Sequence, residues 1–111
     1  MLRTREELTR RAQRVLLETF GLEMEFYTDD IMTCMLSSRK GLPFYLFDGT
    51  KTAGRIYVNV YEEETKEPSY WIRYSCKERP AGMFIAHGAE DFRQSMAKLI
   101  EPPKIKEIPL F

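Results

Sequence analysis

Asp48 and Lys51 stand three positions apart behind an apolar run, and Asp30 precedes an earlier one. Further along, Glu64-Thr65-Lys66 has the form E-x-K. Two carboxylates can hold a magnesium ion, and a lysine near the attacking water completes the set that metal-dependent phosphodiester cleavage needs. Asp30 and Asp48 with Lys51, and Asp48 with Glu64 and Lys66, are two carboxylate–lysine sets of that kind.

With Glu7 or Glu18 on an initial helix, these residues are faintly similar to the PD-(D/E)xK restriction-like nucleases. That resemblance implies a divergent magnesium-dependent nuclease. The pattern departs from the family at three points. D-G-T-K replaces D-x-K, E-T-K falls in a turn and not at a strand's end, and a hairpin follows where the family has a helix. Acidic residues at turns more often serve as solvated punctuation, so this is the third reading of the chain.

His87 is the single histidine. As a general base it needs a nucleophile and an orienting carboxylate within hydrogen-bond reach. Cys34, Cys76 and Ser75 are the available nucleophiles, and none has a supporting spacing. Cys34 and Cys76 do not pair with His87 as a zinc set either, because no two of them are close in sequence. GxGxxG, GxxxxGK(S/T), GxSxG and HExxH are all missing from the chain, so no nucleotide cofactor is implied.

A different constellation lies in RIYVNVYEEETKEPSYWIRY, residues 55–74. Ile56, Val58 and Val60 alternate with Arg55, Tyr57, Asn59 and Tyr61, as in a half-buried strand. If odd residues pair with odd on the return, Tyr70, Ile72 and Tyr74 join the core. Trp71 and Arg73 then join Arg55, Tyr57, Asn59 and Tyr61 on the opposite face. A one-residue slip would reverse the two faces. Trp, Tyr and Arg are the residues that anchor protein interfaces, and the same set can stack unpaired bases while arginines hold phosphates. Cross-strand pairing, or a second core layer under a helix, is the purely structural explanation.

The elements that must position these residues are legible. Thr4 and Glu7 have capping-box spacing, and Leu8, Ala12, Val15, Leu16 and Phe20 form one helical stripe ending at Gly21. A helix over residues 4–20 follows, with Arg3, Arg10, Arg11 and Arg14 on its other face, partly countered by Glu6, Glu7 and Glu18. LEMEFYT and IMTCMLS read as strands, SRKG as a second turn, and LPFYLF as a strand that Pro43 confines to an edge or to its own beginning. A loop from Asp48 through Gly54 leads into the hairpin, whose turn is EEETKEP. KERPAG then turns into a short sixth strand, MFIA, and Phe92, Met96, Leu99 and Ile100 line a helix over residues 89–100. The expected fold is α+β and two-layered. It has a mostly antiparallel five- or six-stranded meander sheet with an N-terminal and a C-terminal helix. Residues 1–103 form one domain, and the apolar tail 104–111 docks on this sheet or pairs with a second subunit.

The 111 residues are enough for a core without metal or disulfide. Seventeen Lys and Arg balance seventeen Asp and Glu. Zero net charge weighs against a dedicated duplex-DNA binder. MLRTREELTRR has no apolar leader and no segment reaches the ~18 apolar residues of a membrane span, so a reducing cytoplasm, free thiols and no membrane are expected. The favoured function is a small non-catalytic interaction module (adaptor, inhibitor or immunity-type) that binds a protein partner through Arg55, Tyr57, Asn59, Tyr61, Trp71 and Arg73, with homodimerisation also in view. Single-stranded nucleic acid on the same face is the second reading.

Overall fold

The computed structural model describes residues 5–28, 34–39, 41–46, 49–63, 66–77 and 80–101. Two helices, α1 (Arg5–Phe20) and α2 (Ala89–Ile100), flank six strands in sequence. The strands are β1 (Glu25–Thr28), β2 (Cys34–Ser37), β3 (Leu42–Tyr45), β4 (Lys51–Glu63), β5 (Lys66–Cys76) and β6 (Gly82–His87). All pairings are antiparallel, in the order β1-β2-β4-β5-β6, with β3 paired to β4 off that path. This is the α+β architecture expected, with the helices at the two ends of the sequence. Thr4, half of the anticipated capping box, lies outside the described residues, as do Arg3 and the tail 104–111.

The long β4–β5 hairpin is the spine. Its register is odd to odd: Arg55 lies opposite Ser75, Tyr57 opposite Arg73, Asn59 opposite Trp71 and Tyr61 opposite Ser69. Alternation therefore sends Ile56, Val58, Val60, Tyr70 and Ile72 into the core, where all are buried. α1 covers this face over β1, β2 and β4, burying Leu8, Ala12 and Leu16. α2 covers it over β3, β5 and β6, burying Phe92, Met96 and Leu99. The Phe92 ring stacks on Tyr70 at 4.2 Å between centroids. Both helices thus sit on one side of the sheet.

Local chemistry ends the helices where expected. Gly21, at φ 66°, takes the left-handed conformation after α1, and its N–H donates to Leu17 O at 2.9 Å. Glu90 and Asp91 lie in the positive first turn of α2, and Asp91 accepts from the His87 N–H at 2.9 Å.

Three expectations about connections are corrected. SRKG is a turn, with the Leu42 N–H donating to Arg39 O at 3.2 Å, but it does not reverse the chain into a meander: β2 and β3 run in the same direction along one edge of β4. Ser38 bridges the break, its hydroxyl accepting from the Ile56 N–H at 2.8 Å while its N–H donates to Ile56 O at 2.9 Å. The loop predicted through Gly54 ends sooner, because β4 begins at Lys51. Gly54 is inside the strand, where a Cβ would collide with the Ser75 carbonyl and the Phe44 ring. EEETKEP is mostly strand, since Glu63 pairs with Lys66. A register shift between Tyr61 and Glu63 sets Glu67 and Pro68 against Glu62 alone, so Pro68, which has no N–H to give, falls in a bulge. Pro43 lies in β3, an edge strand bonded on one side only among the described strands.

Candidate functional site

The face away from the helices carries the odd-numbered residues of β4 and β5. Tyr57 lies between two guanidinium groups: Arg55 Nη1 donates to its hydroxyl at 3.5 Å, and the Arg73 Cζ stands 5.3 Å from its ring centroid. One step along the hairpin, Tyr61 meets Trp71 edge to face at 5.5 Å between centroids. Arg5, the first residue of α1, reaches over the sheet end and places its Cζ 4.3 Å above the Tyr61 ring.

Asn59 shares this face but is buried. Its amide Nδ2 donates to Cys34 O at 3.2 Å, tying β4 to the start of β2. It holds the floor on which its neighbours stand.

Four residues that sequence reasoning did not assign to the face belong to it. Trp71 pairs with Ile85 and Arg73 with Met83, so alternation in β6 turns both aliphatic side chains outward. Tyr27 pairs with Met35 on the far side, and Met35 Sδ lies 3.6 Å from Arg73 Nη2. Among the described residues, six large hydrophobic side chains are exposed. Five of them, Tyr27, Tyr61, Trp71, Met83 and Ile85, are on this face, at 38–52% exposure, and only Leu17 is not. The alternation of MFIAH was visible in the sequence, but its phase depends on the β5–β6 register.

At the Arg55 end the face is concave. A cavity of about 640 Å³ is lined by Gly41, Ala53, Gly54, Arg55, Tyr57, Ser75, Cys76 and Lys77. The titration of two nearby groups is shifted upward. Tyr27 donates its phenolic proton to the Glu25 carboxylate, which raises its pKa above the ordinary 10.0 through that bond and the carboxylate's charge. Arg55 is raised as well, first by its bond to the Tyr57 hydroxyl.

Asp30, Asp48 and Glu64 lie outside the described residues, and Lys51 is exposed at the start of β4. No His, Cys, Asp and Glu cluster suited to a metal ion occurs among the described residues. His87, in β6, lies opposite Ser69, and Cys76 is seven residues further along β5, roughly 20 Å away. Cys34 is buried on the core side, and neither cysteine forms a disulfide. On α1, Arg10 packs its guanidinium over Phe26 at 3.7 Å. No described helix is long and apolar enough to cross a membrane. Comparison with protein-family models, curated proteins and solved structures finds no match to this chain. The class therefore rests on the architecture itself: a two-layer α+β fold in which the described helices cover one sheet face.

Proposed function

We propose that this chain is a non-catalytic interaction module that takes a protein partner onto the sheet face that the described helices leave uncovered. Trp71 and Tyr61 are the anchors, Met83 and Ile85 the apolar contacts beside them, and Arg55 and Arg73 the polar margin. The observation that carries this reading is the gathering on that one face of five of the six large hydrophobic residues exposed among the described residues. Exposed apolar side chains gathered on one face in this way are uncommon on a surface that meets only water. Aromatic residues, Met and Arg are also the types enriched where proteins meet. Met83 and Ile85 favour side chains over bases, because stacking needs a flat aromatic surface. Two cysteines without a disulfide agree with a reducing, cytoplasmic setting.

The test compares Trp71→Ala and Met83→Ala with Leu17→Ala, a control on the helix layer. Proteins captured by the wild-type chain are purified and titrated individually against each variant. The face variants should weaken binding at least roughly tenfold and the control should not. Self-association by a second copy is read in the same series by sedimentation.

Single-stranded nucleic acid is the second reading, favoured by the placing of Tyr57 between Arg55 and Arg73. It requires that short oligonucleotides quench Trp71 fluorescence and that the affinity fall as salt rises.

A further inference from the structure

Every polar side chain that lines the concavity at the Arg55 end of the face is a hydrogen-bond donor or can act as one: Arg55, Tyr57, Ser75 and Lys77. No carboxylate lines it among the described residues. The Tyr57 hydroxyl accepts from Arg55 and so keeps its own proton to give. Gly41, Ala53 and Gly54 contribute little side-chain bulk, which leaves room for a ligand group between the two cations. A volume of about 640 Å³ falls within the range of pockets that hold a ligand. Such a donor set is satisfied by an acceptor-only group, and the strongest is an oxyanion.

Charge on the sheet is segregated although the chain as a whole is neutral. Alternation places Lys51, Arg55 and Arg73 on the uncovered face, and Lys77 follows at the end of β5. Among the described strand side chains, Glu25 on β1 is a carboxylate on this face; it accepts from Tyr27, and its charge acts on Arg55 as well. Acidic residues of the helices, Glu6 and Glu7 in α1 and Glu90 and Asp91 in α2, belong to the other layer. The face is thus cationic at one end and apolar around Trp71 and Ile85 at the other.

We infer that the concavity is a carboxylate-binding subsite, and that the segment docking on this face is an acidic peptide with an apolar end. Its carboxylates lie between Arg55 and Lys77, hydrogen-bonded also by Tyr57, and its apolar residues cover Trp71. This rests on the protein-binding reading above and names the chemistry of the partner.

The experiment is an amide NMR titration of the full chain with a synthetic peptide made of an acidic half and an apolar half. A counterpart carrying lysines in place of the acids, inorganic phosphate and oligothymidylate are titrated in parallel. The acidic peptide should shift the amides of Gly54, Arg55, Ser75 and Lys77 together with the Trp71 indole. Its affinity should fall roughly tenfold in Arg55→Ala/Lys77→Ala, which removes two charge-assisted contacts. Lys77→Glu, at an exposed position beyond β5, should weaken the acidic peptide and strengthen the basic one. Equal binding of both peptides, or unchanged affinity in the variants, overturns the inference. Stronger shifts from phosphate or oligothymidylate at the same amides overturn it too, in favour of a phosphoryl ligand. Movement of the Trp71 indole with silent cavity amides would sink the subsite and leave the protein-binding face standing.

Discussion

Tyr61 and Trp71 meet edge to face at 66° across β4 and β5, although neither lies directly opposite the other in the ladder. They are diagonal partners: Tyr61 stands opposite Ser69, and Trp71 opposite Asn59. Small Ser69 and buried Asn59 leave the two rings free to lean together at the surface. Such pairs contribute about 0.5–1.5 kcal/mol beyond the area they bury. A double-mutant cycle of Tyr61→Leu and Trp71→Leu should show coupling in that range by urea denaturation. Additive effects would mean that the rings are held apart in solution.

Ser38 supports the sheet where β2 gives way to β3. Ser38→Ala leaves the buried Ile56 N–H without its 2.8 Å acceptor. An unmet buried donor costs about 1–3 kcal/mol, and the denaturation midpoint should fall accordingly. Ser38→Thr retains the oxygen and should recover part of the loss.

Two glycines should respond for different reasons. In Gly54→Ala the new methyl group meets the Ser75 backbone carbonyl, which cannot swing away as a side chain would. A loss of about 2–3 kcal/mol is expected, at the upper end for a point substitution. Gly41 has open space around it and a φ of 89°, so Gly41→Ala should show only the conformational cost, about 1–2 kcal/mol.

Tyr27 should titrate above its ordinary value, and Glu25→Gln should return it toward 10.0, read from the ring carbon shifts of labelled tyrosine. The sign for stability follows. A group whose pKa is raised on folding holds its proton more firmly in the folded chain. Its contribution is complete below the unfolded pKa and disappears as pH rises through the folded one. The pair is exposed, so the effect belongs to strongly alkaline solution and is small.

Much of the fold was legible because local chemistry and long-range packing agree in it. The stripe of α1 and the span of α2 follow from apolar spacing, and of the two registers open to the hairpin the chain takes the odd-to-odd one, which buries Tyr70 and Ile72. Glu62 to Pro68 misled because charge was read as turn. Glu63 and Lys66 pair through their backbones, which any residue type can do, so charge alone does not mark the end of a ladder. The β2–β3 interruption escaped for another reason. Whether SRKG folds back or runs on depends on which edge of β4 receives Leu42, and no residue within four positions encodes that. Of the site, the hairpin's contribution was readable from alternation. Met83, Ile85, Tyr27 and Met35 required the pairing of three further strands. Asn59 looked like a surface residue until Cys34 O was found beneath its amide.

The most direct test of the account is the affinity of a captured and purified partner for wild-type chain, Trp71→Ala and Leu17→Ala by calorimetry. Trp71→Ala should lose about tenfold or more, with Leu17→Ala within about twofold of wild type. Equal affinities for wild type and Trp71→Ala, or a larger loss in Leu17→Ala, would contradict the assignment of the uncovered sheet face as the binding surface.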